Sequence, residues 1–216
     1  DPQKWKVLEG QQLAYKVTAN SLYGVTGAST SQLCLKFIAA ATTATGRKNI
    51  MFAKNFVERE YPGTEVVYGD TDSIFIKFPV GELSGLDAIY KAIDLCEESA
   101  GRTSQLLKRP HNLEFEKVIC PMILCAKKKY VGFYYTGKSP KCTIKYMGIV
   151  LKRRDNAPIV KHVFGEAIEI LLKENDVPKA ISFIQEACKK ILAGGYGIDK
   201  FIMSKTLKDS YKNPDG

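Results

Sequence analysis

Apolar residues recur at helical spacing over residues 4–23, at Trp5, Leu8, Leu13, Ala14, Val17 and Leu22, with no proline among them. Gly24 and Gly27 are predicted to stop this helix. A second, alanine-rich helix is predicted over residues 33–60, with Gly46 as a weak point and Tyr61-Pro62-Gly63 as its end. The period then shortens. Residues 64–68 and 73–78 are rich in Val, Ile and Phe and read as buried strands, joined by a Gly69-Asp70-Thr71-Asp72 turn. Residues 86–107 return to an amphipathic helical pattern. Over residues 111–151, short Val/Ile/Tyr/Phe runs are separated by Gly132, Gly137, Ser139-Pro140 and Gly148, the pattern of an antiparallel meander. Two further helices are predicted at 159–173 and 177–192. Gly194-Gly195-Tyr196-Gly197, a strand-like 200–203 and a loop over 211–216 follow. There is no internal repeat, and residues 156–158 are the best candidate boundary. This order of elements argues for an α+β chain.

Composition narrows the class. The 216 residues are 45% hydrophobic and 25% charged, which excludes a disordered tail and a collagen-like chain. The longest nearly apolar run is nine residues, 118–126, against the ~20 needed to span a bilayer, so no membrane partner is expected. The N-terminus lacks the apolar core of a signal peptide and begins without Met, so a piece of a longer chain is expected. Six cysteines form no CxxC pair, and the chain has two His, so no zinc site is expected. The cysteines read as reduced core thiols of an intracellular protein.

Charge sharpens the picture further. The net charge is +9, but residues 102–161 hold fourteen Lys/Arg against three acids, a local +11, leaving −2 for the rest. Residues 118–154 hold nine Lys/Arg and no acid, interleaved with Tyr130, Phe133, Tyr134, Tyr135 and Tyr146. Cations for phosphates and rings for sugars or bases suit a nucleic-acid surface. A solvated basic sheet face is the plainer alternative. Anionic lipid fits less well, because the segment reads as strands rather than an amphipathic helix.

Two short patterns carry candidate chemistry. Asp70 and Asp72 stand two residues apart between apolar strands, where oxygen ligands suit a hard divalent cation. Gly-Asp and Thr-Asp are equally ordinary turn residues, and no second acid is an obvious partner. On the first helix, Lys16, Asn20, Tyr23 and Gly24 fall at i, i+4, i+7 and i+8 and share a face, which Gln12 extends. A cation, an amide and a ring beside a glycine suit a ligand with phosphate, sugar and base. A solvated polar stripe would look the same.

Together these segments resemble the family B DNA-directed DNA polymerases. Lys16-Val-Thr-Ala-Asn20-Ser21-Leu-Tyr23-Gly24 resembles the fingers motif KxxxNSxYG, and Tyr68-Gly69-Asp70-Thr71-Asp72-Ser73 the palm motif YGDTDS. Lys127-Lys128-Lys129-Tyr130 resembles the KKxY motif, and Arg153-Arg154-Asp155-Asn156 the RRDN sequence that leads into the thumb. Residues 201–207 resemble a thumb segment. The wording around Met147-Gly148 is similar to polymerases of large eukaryotic DNA viruses, with eukaryotic polymerase delta next.

The resemblance implies roles. Asp72 would be the direct metal ligand and Asp70 a supporting catalytic ligand, for two Mg²⁺ ions that Mn²⁺ can replace. Lys16 and Asn20 would contact the deoxynucleoside triphosphate, with Tyr23 and Gly24 facing the nascent base pair. Lys127, Lys128 and Tyr130 would grip primer–template DNA, with Lys152, Arg153 and Arg154 as backbone contacts. Fingers helices would occupy residues 1–60, palm 61–156 and partial thumb 157–216. A sliding clamp is a further expected partner, and the nucleus or a cytoplasmic viral replication site the expected location. The family's other carboxylate motif, DxxSLYPS, lies upstream of the fingers motif and is not matched here, so a fragment is expected. Three alternatives stay open: a DNA-binding piece inactive by itself, a reverse transcriptase-like palm, and a non-enzymatic RNA-binding domain.

Overall fold

The computed structural model describes residues 2–149, 151, 156–204 and 207. Its elements are α1 (Pro2–Gly27), α2 (Lys36–Glu60), β1 (Glu65–Asp70), β2 (Ser73–Lys77), α3 (Gly85–Leu106), β3 (Val118–Ala126), β4 (Lys129–Tyr135), β5 (Thr143–Met147), α4 (Pro158–Glu174) and α5 (Val177–Leu192). A short 3₁₀ turn, Ile198–Lys200, follows. The chain is α+β, with two small antiparallel sheets, β1-β2 and β3-β4-β5.

Two compact units divide these elements: residues 1–81 with 95–114, and residues 82–94 with 115–216. In the first unit, α1 meets α2 at the corner around Thr26, Gly27, Leu35 and Ala39 while residues 3–25 of α1 are exposed, and the last turns of α2 pack on the β1–β2 hairpin. The core there is Phe56, Val57, Tyr61 and Phe78, flanked by Ile76, Leu95 and Cys96. Arg102 closes its rim: its guanidinium donates to Glu60 at 2.7 Å and lies 5.3 Å from the Tyr61 ring centre. Tyr61 in turn donates its hydroxyl to Glu98 at 3.0 Å.

The second unit is built on the β3-β4-β5 meander. One face packs Val131, Ile123, Phe133, Ile144 and Tyr146 against Ile168 and Leu172 of α4. Ile89 and Ile93, early in α3, meet Tyr135 and Val118. α4 ends at Asn175, whose φ of 53° suits a left-handed cap, and Asp176 then caps α5 by accepting from Lys179 N at 2.8 Å.

Several expectations need correction. α1 runs through Gly24 and ends only at the second expected stop, Gly27; an interior glycine costs about 1 kcal/mol against Ala, which helices this long absorb, and α2 likewise runs unbroken through Gly46. The first turn tightens to Thr71-Asp72, because β1 extends to Asp70. β1 and β2 are half-buried rather than buried, since only α2 and α3 of their own unit supply a core for them. Residues 111–117 form no strand, and 200–203 hold the end of a 3₁₀ turn and coil. The loop expected at 211–216 lies outside the described residues. Only Cys96 packs into a core, where burial pushes its thiol up to about 11. Cys34 is half-buried, and Cys120, Cys125, Cys142 and Cys188 are exposed, all of them free thiols. Among the described residues no helix is long and apolar enough to cross a membrane.

Candidate active site and nucleic-acid interface

Asp70 and Asp72 sit at the tip of the β1–β2 hairpin, where Asp70 pairs with Ser73 and leaves Thr71-Asp72 as the turn. Thr71 has φ 52°. Hairpins usually give that position to glycine, and the left-handed region costs a β-branched residue about 1–2 kcal/mol. Three local bonds hold it: Asp72 N donates to Asp70 O at 2.6 Å, Ser73 Oγ to Asp70 O at 3.1 Å, and Thr71 Oγ1 to Asp70 Oδ1 at 3.1 Å. Behind the tip the Tyr68 and Phe75 rings meet across the strands, centroids 5.2 Å apart. At the hairpin base a bulge between Val66 and Tyr68 frees Val66 N to donate to Glu58 of α2 at 3.2 Å. The tip is thus displayed from an anchored base. Asp70 is half-buried with one oxygen engaged by Thr71, and Asp72 is exposed.

Two carboxylates fit a hard divalent cation as donors but supply only part of the six or more oxygens such an ion takes. Among the described residues, no third His, Cys, Asp or Glu gathers with them.

The polar stripe is carried by a different element of the same unit. α1 is continuous over 26 residues, so Lys16, Asn20, Tyr23 and Gly24 do share one face, and all four are exposed. A side chain at Gly24 would meet nothing within 4 Å among the described residues, so packing against them does not demand a glycine there. The corner into α2 is set by Leu35 N donating to Thr26 O at 2.9 Å and by Gly27 approaching Ala39.

The basic residues lie in the other unit. Ala126 pairs with Lys129, making Lys127-Lys128 a two-residue turn with Lys128 at φ 61°. Lys127, Lys128 and Lys129 are exposed, and Tyr130 is half-buried. The sequence reading missed Gly148 as more than a strand separator. It has φ 62°, and a Cβ there would stand 2.1 Å from the Lys128 carbonyl oxygen, so the end of β5 can seat this turn only with glycine at 148. The signal was available as a lone glycine directly after a strand.

Two expectations about this region change. The aromatics do not form a stacking platform: Tyr134 and Tyr135 are buried, and Phe133 and Tyr146 are half-buried in the cores. Strand pleating turns Phe133, Tyr135 and Tyr146 toward α3 and α4, while Tyr134, on the other face, lies beneath the Lys117 and Lys145 ammonium groups. Nor is every cation without an acid, since Lys138 pairs with Asp94 of α3 at 2.5 Å. Lys152, Arg153 and Arg154 lie outside the described residues, as do Lys205 and Thr206.

The description "DNA polymerase family B" matches residues 1–215. The chain belongs to DNA polymerase family B. This shows the resemblance that the four motifs carried, and it displaces the reverse transcriptase-like and RNA-binding alternatives. The chain is 51% identical over 211 residues to a DNA polymerase of Pyramimonas orientalis virus, covering 96% of this chain and 17% of that protein. It is 39% identical over 207 residues to a DNA polymerase of Paramecium bursaria Chlorella virus NY2A, covering 95% and 22%. It is 37% identical over 212 residues to the DNA polymerase delta catalytic subunit of Candida albicans, covering 95% and 20%. This family B chain thus spans about a fifth of the length of the relatives it matches.

Proposed function

We propose that this chain carries one carboxylate motif, the nucleotide contacts and the duplex contacts of a polymerase that extends a DNA primer on a DNA template. The observation that carries this reading is the β1–β2 tip, which displays Asp70 and Asp72 from a hairpin anchored at its base to α2. Asp72, exposed at the turn, is the direct metal ligand. Asp70, with one oxygen engaged by Thr71, is the supporting one. Mg²⁺, or Mn²⁺ in its place, supplies activation of the primer hydroxyl and neutralisation of the phosphate charge when bound. Lys16 holds triphosphate as a point charge, and Asn20 donates or accepts beside it. Tyr23 offers a flat ring to the nascent base pair, and Gly24 leaves room for it. Lys127, Lys128 and Tyr130 grip primer–template DNA, with Lys152, Arg153 and Arg154 continuing the contact. These duplex contacts position any sequence alike.

On this reading residues 1–60 are fingers, 61–156 palm and 157–216 thumb. Primer–template DNA, deoxynucleoside triphosphates and a sliding clamp are the partners, at an intracellular site of replication in the nucleus or a cytoplasmic viral compartment. Asp72→Ala in the complete polymerase tests it. Extension should be lost while DNA affinity is kept, and extension within about tenfold of wild type overturns the metal-ligand role.

A second reading concerns the 216 residues alone. Only two carboxylates gather at the tip among the described residues, so the isolated chain should bind DNA without extending a primer. Primer extension by the isolated chain would refute this.

A further inference from the structure

We propose that Lys145 is a further phosphate contact for duplex DNA, made from the same sheet face as Tyr130. This rests on the reading of Lys127, Lys128 and Tyr130 as duplex contacts. The β3-β4-β5 sheet has two faces, and α4 covers the one bearing Val131, Phe133, Ile144 and Tyr146. Strand register puts Leu124, Tyr130 and Met147 in one row of the opposite face, and Met122, Gly132 and Lys145 in the next. Leu124 and Met147 are 37% and 43% exposed, so this face is open beside Tyr130.

Lys145 is held rather than loose. Its Nζ lies 5.3 Å from the centre of the Tyr134 ring, and Lys117 Nζ lies 5.2 Å from the same ring. A ring fixes an ammonium group without cancelling its charge. Lys117 is also joined to Glu116, whereas among the described residues no carboxylate pairs with Lys145. Lys145 therefore presents an ordered, uncompensated cation. It stands one row, about 7 Å, along the strand from Tyr130. A DNA strand carries a phosphate every 3.4 Å of helix axis, so a backbone resting on the Tyr130 row passes phosphates within reach of Lys145. Charge complementarity thus commits this face to a nucleic-acid backbone.

Primer–template binding by the complete polymerase, measured across a salt series, tests the contact. Lys145→Gln should weaken binding about five- to tenfold near 0.1 M salt, alike for unrelated sequences. It should also lower the slope of log affinity against log salt by about 0.9, the release for one phosphate. Lys145→Arg should keep both. Unchanged affinity and slope in Lys145→Gln overturn the proposal, and so does a loss that Lys145→Arg shares. The paired variant Lys127→Gln/Lys128→Gln separates the two readings. If it lowers affinity and slope while Lys145→Gln does not, only the Lys145 contact falls. If neither changes binding, the duplex reading of the β3–β4 turn falls with it.

Discussion

Two hairpin tips carry opposite charges in this chain, and each places one non-glycine residue at positive φ. The acidic tip strains Thr71, the first turn residue, and the basic tip strains Lys128, the second. They are held in different ways. Thr71 is held by bonds from the turn itself, all to Asp70. Lys128 is seated against Gly148, twenty residues further along the chain. A tip built from neighbouring residues tolerates change elsewhere. A tip seated by a distant strand end depends on a residue that never touches the ligand.

The comparison breaks most sharply at the charges. Asp72→Ala should lower the extension rate by about 10³-fold or more, because a metal ligand contributes several kcal/mol to the transition state, with DNA affinity kept. Lys127→Ala/Lys128→Ala should do the reverse, keeping the extension rate at saturating DNA and weakening duplex binding with a smaller salt slope. Gel-shift titration beside single-turnover extension reads both. If the two variants gave the same phenotype, the division of labour between the tips would be wrong.

The next largest effect is at the glycines. Gly148→Ala forces a Cβ against the Lys128 carbonyl and a positive φ on alanine, so about 2–4 kcal/mol of stability should be lost. Gly69→Ala near the acidic tip meets Ser73 O at 3.5 Å, ordinary contact, and should cost under about 1 kcal/mol. Thermal melting compares them directly, and equal costs would refute seating by Gly148. Lys16→Ala should raise the nucleotide KM or slow incorporation, with DNA affinity unchanged. A change in DNA affinity alone would remove the triphosphate role. The smallest effect should come from Thr71→Asn, which relieves a β-branched residue at φ 52° and should stabilise the chain by about 0.5–1 kcal/mol, provided the lost Thr71 Oγ1 bond is exposed enough for water to replace. A lower melting temperature would show that the Thr71 hydroxyl matters more than its strain.

Much of this was readable along the chain. The helices at 159–173 and 177–192 and the meander are where apolar periodicity placed them, because period and burial agree there. The acid pair and the α1 stripe were legible for a similar reason: turn position and helical spacing are local properties. Of the two glycines expected to end the first helix, Gly27 does so and Gly24 does not, since a glycine's local cost is outweighed by the rest of a long helix. The role of Gly148 was hidden because it depends on which carbonyl arrives next to it.

The sequence by itself determined the α+β order of elements, the family, the acidic turn and the stripe on α1, all set by spacing between near neighbours. The tertiary structure decided the rest. It turned Phe133, Tyr135 and Tyr146 of the basic segment into the cores, buried Tyr134 on the other face of the sheet, paired Lys138 with Asp94, and seated Lys128 on Gly148. It also left Lys145 over the Tyr134 ring with no paired acid among the described residues. Each of these depends on residues far apart in the chain being packed together, and a one-dimensional pattern of charge or hydrophobicity does not contain that information.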